Sequence, residues 1–499
     1  MSRRSRQLFQ YRKNPHLYEI NAAAWLFELS QKRGKKMTLG DVSTEEWDKL
    51  KELGFDLVWL MGVWKRSQAG RKVFQEAEEY YPLYESALPG WTEEDVIGSP
   101  YSIQAYEPDP LIGNWEELDR TRRELNNRRM GLILDFVPNH TGPDHLWVKR
   151  CPEYYIQGSE EDYRRGPSGF FPIKHKTRTP YIAKGRDPFF PPWPDTVQLN
   201  YFNPKTRSAL IRQLKKIAQH CDGVRCDMAM LVLNEIFERT WGRALKGYQP
   251  PEREFWTEAI SAVPGLILIA EAYWDKEWAL QQLGFDYVYD KRLYDRLQAP
   301  AYDVYLHLKA DMDFQRRLAR FIENHDEPRS AAIFDKDRLK AAATLVATLA
   351  GLRFYHHGQL EGKRIRMPVQ LRRARDEEPD RELNEFYRRL LSITDADAFH
   401  NGSWQLEEVT SAWDDSFHNL IGYTWRSEDR FKLVVVNLSP RRSQGRVPLT
   451  KGISDDKDYI LVDELNDKSY LRSGREMIHP GLHVILEGYG AHIFDLSPS

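Results

Sequence analysis

Gly131-Leu-Ile-Leu-Asp-Phe-Val137-Pro-Asn-His140 is the stretch from which the rest of the chain can be read. An apolar run of strand length carries one carboxylate, Asp135, and ends on the polar pair Asn139-His140. A carboxylate in buried surroundings is costly unless it is hydrogen-bonded, paired or used. The segment before it, Trp115 to Arg129, has helical spacing, and seven more short apolar runs recur along the chain. They are Leu17–Asn21, Asp56–Val63, Gly223–Asp227, Gly265–Glu271, Phe285–Tyr289, Arg320–Glu323 and Leu352–Tyr355. Helical patterns separate most of them, at Thr44–Leu53 (capped by Ser43 or Thr44), Ser208–His220 and Arg338–Leu349. Eight strands alternating with helices predict parallel βα units closed as a (β/α)8 barrel; an open doubly wound sheet would give a similar pattern.

Two regions break the alternation. Residues 140–200 are rich in Pro, Gly, aromatics and charge, including Phe189-Phe-Pro-Pro-Trp-Pro194. A structureless loop that long is improbable in a compact domain, so an inserted small domain or lid is expected there. From about His400 the pattern turns to short alternating strands, as at Leu420–Trp425, Phe431–Asn437 and His483–Leu486. The predicted division is a barrel from 1–139 and 201–398, an insertion over 140–200, and a C-terminal antiparallel β-sandwich over 399–499.

Composition narrows the function. In 499 residues, 72 Lys and Arg face 74 Asp and Glu, which argues against binding nucleic acid or an anionic membrane by bulk charge. No apolar run is long enough to span a bilayer, and the basic opening Met1–Arg6 is not followed by a signal-like apolar stretch. Cys151, Cys221 and Cys226 make no disulfide framework and a poor zinc site, so a cytoplasmic location is expected. Aromatic residues reach 12 %, which serves a large core or platforms for sugar rings equally well.

In a parallel barrel the strand C-termini face the active site. Four runs end there in carboxylates: Asp135-Phe-Val-Pro-Asn-His140, Gly223-Val-Arg-Cys-Asp227, Ile269-Ala-Glu271 and Glu323-Asn-His-Asp326. Any one of them is explained as a strand-end acid capping a turn. Four converging on one barrel mouth, with histidines and an arginine beside them, point to chemistry instead.

In this order the four segments resemble the signature regions of the α-amylase family, glycoside hydrolase family 13. The likeness runs from about Tyr18 to the end, and the irregular and C-terminal regions fall where that family carries its domains B and C. The resemblance implies retaining cleavage of α-glucosidic bonds in oligosaccharides or α-glucans. Motif by motif, Asp227 matches the nucleophile, Glu271 the acid/base and Asp326 the third acid. Arg225, on the same face as Asp227, is expected to keep it ionised. His140 and His325 match the histidines that bind sugar hydroxyls, and Tyr101 the tyrosine that stacks under the sugar. Asp135 matches an acid that holds the site's arginine and histidine from behind. Tyr273 and Trp274 are candidates for further sugar contact, and Gln198-Leu-Asn200 resembles the family's fifth region.

The chain also departs from the pattern. Exo-acting members grip the terminal glucose with an aspartate three residues before the stacking tyrosine and an arginine three after the third acid. Arg329 is present, but Gly98 occupies the aspartate position, with Asp95 nearby. Met228-Ala-Met230 replaces a Lys-His pair that serves outer subsites and calcium. No cofactor is therefore expected; calcium held through Asn139 is the alternative. Tyr355-His-His-Gly differs from the usual Tyr-Tyr-Gly, and the basic stretch Lys363–Gln370 follows it, either as a solvated loop or lining an acceptor site, even for an anion such as phosphate. The leading expectation is a hydrolase acting through a glycosyl-Asp227 intermediate. A transglycosylase or phosphorylase passing the glycosyl group to sugar or phosphate is the alternative, and a non-catalytic sugar-binding relative a third reading.

Overall fold

A computed structural model describes residues 9–173, 180–245, 247–428 and 430–499; the basic opening run Met1–Arg6 lies outside them. Eight strands carry the central layer: β1 (His16–Asn21), β2 (Leu57–Met61), β3 (Gly131–Phe136), β4 (Gly223–Cys226), β5 (Ile267–Ala270), β6 (Tyr287–Tyr289), β7 (Leu318–Arg320) and β8 (Leu352–His356). They pair in parallel in sequence order, and β8 closes on β1 through His16 opposite Arg353. The sheet is a closed (β/α)8 barrel, so the open doubly wound alternative is excluded.

Period-two alternation explains both faces. Leu17, Leu57, Trp59, Met61, Ile133, Ile267, Ile269, Tyr287, Tyr289, Ala319, Leu352 and Phe354 form one buried cluster filling the barrel. Their neighbours Tyr18, Val58, Leu60, Leu132, Leu134, Val224, Leu268 and Val288 belong to the larger core outside it, with Leu118, Leu210 and Leu214 of the helices. Following the inward residues towards the strand C-termini leads from Leu17 to Glu19, from Ile133 to Asp135, and from Ile269 to Glu271.

Strand β7 ends at Arg320, earlier than the apolar run through Glu323 suggested. Phe321 and Ile322 are buried by packing outside the ladder, and the chain turns so that Glu323 meets Arg329 and Ser330. Residues between β2 and β3 make an excursion the pattern did not reveal. A short ribbon pairs Trp64–Arg66 with Ile103–Pro108, and helices Gln68–Glu76 and Tyr81–Ala87 rest on a satellite core of Phe74, Tyr84, Leu88, Val96 and Leu371.

After β3, His140-Thr141 pairs antiparallel with Val197-Gln198, closing the base of the inserted segment, which holds a three-stranded sheet of its own. The C-terminal region is a six-stranded antiparallel sheet with a separate ribbon of Ser443–Val447 and Leu482–Leu486. Beneath the barrel, Arg12 of the N-terminal arm bonds Asp56 (2.7 Å) and pairs with Asp395, beside the buried imidazoles of His16 and His400. No helix among the described residues is long and apolar enough to cross a membrane, and the cysteines form no disulfide there.

Candidate active site

The four carboxylate-bearing segments meet at the C-terminal mouth of the barrel, around one arginine. Arg225 and Asp227 share the inward face of β4 and its end; the Arg225 Nη1 donates to Asp227 Oδ1 at 2.7 Å. From the end of β5, Glu271 Oε2 stands 2.8 Å from Arg225 Nη2. The guanidinium lies over the rings of Trp59 and Tyr101, at 5.1 and 5.2 Å, and its Nε donates to the Tyr289 hydroxyl at 3.3 Å. One fixed cation therefore serves two buried carboxylates.

Their environments differ. Glu271 accepts from the Met228 amide at 2.6 Å and the Tyr273 hydroxyl at 2.9 Å. Met228 reaches it from the left-handed region, φ 41°, a conformation that costs a non-glycine residue about 1 kcal/mol and that the site itself explains. Burial lifts the Glu271 carboxyl to about 7, against the pull of Arg225 and with help from the neighbouring Asp227 charge. Burial also raises Asp227 above the ordinary carboxylate range, with Arg225 opposing, so the arginine moderates the shift without reversing it.

His325 joins the other side of the mouth. Its Nδ1 bonds the fully buried Glu19 of β1, and its Nε2 lies 2.7 Å from the Tyr101 hydroxyl and 3.0 Å from Asp326 Oδ2. Burial would discharge this imidazole, but Asp326 and Glu19 hold its pKa well above the usual value. The recess around Asp326 works the other way, yet His325 holds that carboxyl below its ordinary range, and 45 % of its side chain stays exposed. His140, on the far side, is lowered by burial to about 3 and stays neutral, with Trp193 packed on its ring at 5.1 Å.

Several predicted residues take other partners. Asp135 accepts from Trp59 Nε1 at 3.0 Å and the Gly62 amide at 2.7 Å, and it hydrogen-bonds neither the arginine nor a histidine. It lies opposite Arg225 in the strand register, yet its carboxyl is turned to β2; burial raises it to about 6. Arg329 Nη1 is held by Glu323 (2.7 Å), His356 (2.8 Å) and the His357 carbonyl (2.9 Å), while Asp95 is bound by Arg373. The Asn139 side chain exchanges hydrogen bonds with Gln198, at 2.9 and 3.2 Å. Trp274 stands against exposed Phe189 of the insertion, ring centroids 4.9 Å apart.

Glu19, Trp59 and His356 were not singled out from the sequence. The signal for Glu19 was present: it follows Leu17 by two residues, as Asp135 follows Ile133. A cleft of about 990 Å³ opens beside His356, lined also by Asn21, His325, Arg329, His357 and the segment after β8.

The family described as "Alpha amylase, catalytic domain" matches residues 26–405. Alpha-amylase 3 of Dictyoglomus thermophilum is 25 % identical over 289 residues, 51 % of this chain and 52 % of the relative, so the match spans about half the relative's length. A noncanonic maltogenic α-amylase, AmyB from Thermotoga neapolitana, superposes with a TM-score of 0.67 at 20 % identity, covering 97 % of this chain and 98 % of that one. An isomaltulose synthase mutant of Erwinia rhapontici, solved with sucrose, gives 0.64 at 16 % identity over 97 % and 99 %. With the closed barrel, the convergent carboxylates and a family match over most of its length, this chain belongs to the α-amylase family of glycoside hydrolases.

Proposed function

We propose that the protein cleaves α-glucosidic bonds of oligosaccharides or α-glucans with retention, through a glycosyl-Asp227 intermediate. The observation that carries this reading is Arg225 bridging Asp227 and Glu271, two carboxyls with different partners on adjacent strands. A group poised near 7 donates a proton efficiently at neutral pH, which suits Glu271 as the acid. In the first step Asp227 attacks C1 while Glu271 protonates the departing glycosidic oxygen. In the second, the Glu271 carboxylate takes a proton from water, whose oxygen attacks C1 and releases Asp227. Asp326, His325, His140 and Tyr101 contact the sugar bound between them, Arg329 grips its far side, and Asp135 positions Trp59.

Transfer to a second sugar or to phosphate is the alternative fate of the same intermediate. Tyr273, Trp274 and Phe189 support it, because an aromatic ledge beside Glu271 can seat an acceptor and exclude water. A mechanism-based fluoroglycoside should label one peptide, that containing Asp227. Labelling of the Asp227→Asn variant, or of another carboxylate, would overturn the assignment. Product analysis with and without added acceptor then separates hydrolysis from transfer.

A further inference from the structure

The strap Lys363-Arg-Ile-Arg-Met-Pro-Val-Gln-Leu-Arg-Arg-Ala-Arg375 holds six cationic residues in thirteen and no acid. Its backbone is pinned to the excursion between β2 and β3. The Gln370 carbonyl accepts from the Ile97 amide at 2.8 Å, the Arg372 amide donates to the Asp95 carbonyl at 2.9 Å, and the Arg375 amide to the Ala87 carbonyl at 3.1 Å. Glu377 accepts the amides of Arg364 and Ile365. This is a fixed wall of the 990 Å³ cleft.

Most of its charge is accounted for. Lys363 meets Glu28 at 2.9 Å, Arg364 bonds the Ala331 carbonyl, and Arg372 and Arg373 share the one buried carboxylate of Asp95. Arg366, an exposed side chain on the cleft lining, has no hydrogen bond or ion pair among the described residues, and its charge helps to lower the Asp326 carboxyl. Arg329, on the same lining, uses Nη1 three times and leaves Nη2 without a hydrogen bond. The remaining acids on the lining are Glu361, deep and beside Lys363, and Glu94, Asp376 and Glu378, which are exposed. The charge of Arg329 is met by Glu323, whereas Arg366 has no anionic partner in contact, and a ligand bearing negative charge would supply one beside the free Nη2 of Arg329. The planar forks of guanidinium groups match phosphate or carboxylate oxygens two at a time, which a single sugar hydroxyl does not.

We propose that Arg366 and Arg329 form an oxyanion subsite continuous with the bond-cleaving site, so that the cleft accepts a sugar bearing a phosphate or carboxylate, or a free phosphate. The inference rests on this cleft being the sugar site, and its test reads binding without turnover.

Calorimetry at low ionic strength on the full chain compares glucose, glucose 6-phosphate, glucuronate and inorganic phosphate. At least one anionic probe should bind about tenfold tighter than glucose, and that advantage should shrink to about twofold or less in Arg366→Gln. Inorganic phosphate binding alone and competing with glucose 6-phosphate marks a free anion as the ligand. Anionic sugars binding while inorganic phosphate does not marks a group carried on the sugar. Equal binding of glucose and every anionic probe overturns the proposal, as does an advantage that survives Arg366→Gln in protein whose thermal unfolding is unchanged. The Asp227→Asn variant should keep the same preference, so a failed assignment of the nucleophile would leave this result readable.

Discussion

The two ends of the barrel use the same residue types to opposite effect. At the lower end, Asp56 receives Arg12 and the His16 amide, Arg353 donates to the Phe399 and Leu349 carbonyls, and His16 and His400 are neutral. Asp56 and Asp395 both meet Arg12, Arg353 is held by carbonyls, and these contacts tie the arm, the barrel and the C-terminal region together. At the mouth, Asp135, Asp227, Glu271 and Asp326 gather around Arg225 and His325. Carboxylates outnumber cations there, and Glu271 and Asp135 are lifted to about 7 and 6. Burial and residue type do not separate a site from a buttress; incomplete compensation does.

The sharpest way to break this contrast is a pair of matched substitutions. Asp227→Asn should lower turnover of an aryl α-glucoside or maltooligosaccharide by roughly 10³-fold or more with the unfolding midpoint nearly unchanged. Asp56→Asn should do the reverse, costing about 2 kcal/mol in denaturant unfolding while turnover stays within about twofold. Similar losses of activity from both would remove the distinction.

The pH profile is the next test. Glu271 must carry its proton to act as the acid, so kcat/KM should fall about tenfold per unit above a limb near 7. That limb should be absent in Glu271→Gln with a substrate whose leaving group needs no proton. A limb near the ordinary glutamate value would mean that the mouth compensates its charges as fully as the base.

A smaller effect is expected at Glu19. Removing its charge with Glu19→Gln leaves the His325 contact in place but takes away one of the two anions that keep the imidazole protonated. Turnover should drop by about tenfold, with little change in stability and a lowered His325 pKa by NMR. An unchanged pKa would show that Asp326 alone suffices.

The smallest effect belongs to the lower end. His400 is held at about 3 by burial and by Arg353 and Arg12, so it stays neutral when the unfolded chain protonates near 6.5. Its contribution to stability is complete above pH 6.5 and is lost as pH falls from there towards 3. His400→Gln should therefore flatten the fall of Tm with pH over that window, by a part only, because His16 titrates in the same direction.

What the sequence disclosed follows from which forces are local. Period-two alternation places Leu17, Ile133 and Ile269 inward whatever the rest of the chain does, so the eight strands and the carboxylates at their ends were legible. Glu323 was misplaced on a strand because Phe321 and Ile322 are buried by packing, which looks the same in sequence as burial by pairing. Arg373, which binds Asp95, lies 278 residues away, and no local pattern encodes an arginine at that distance. Asp135 was placed behind the site, but the choice between Trp59 and Arg225 as its partner depends on strand register and on the direction of a single carboxyl.

The ribbon of His140-Thr141 with Val197-Gln198 brings together the two ends of a segment whose interior has its own sheet. Loop-closure entropy grows only slowly with length once the ends are fixed, so changes of length between them cost the barrel little closure entropy. His140 belongs to that ribbon and stands in the mouth. The chain thus has a socket: the segment between its two ends can be refitted as a cartridge, while His140 stays in the socket wall.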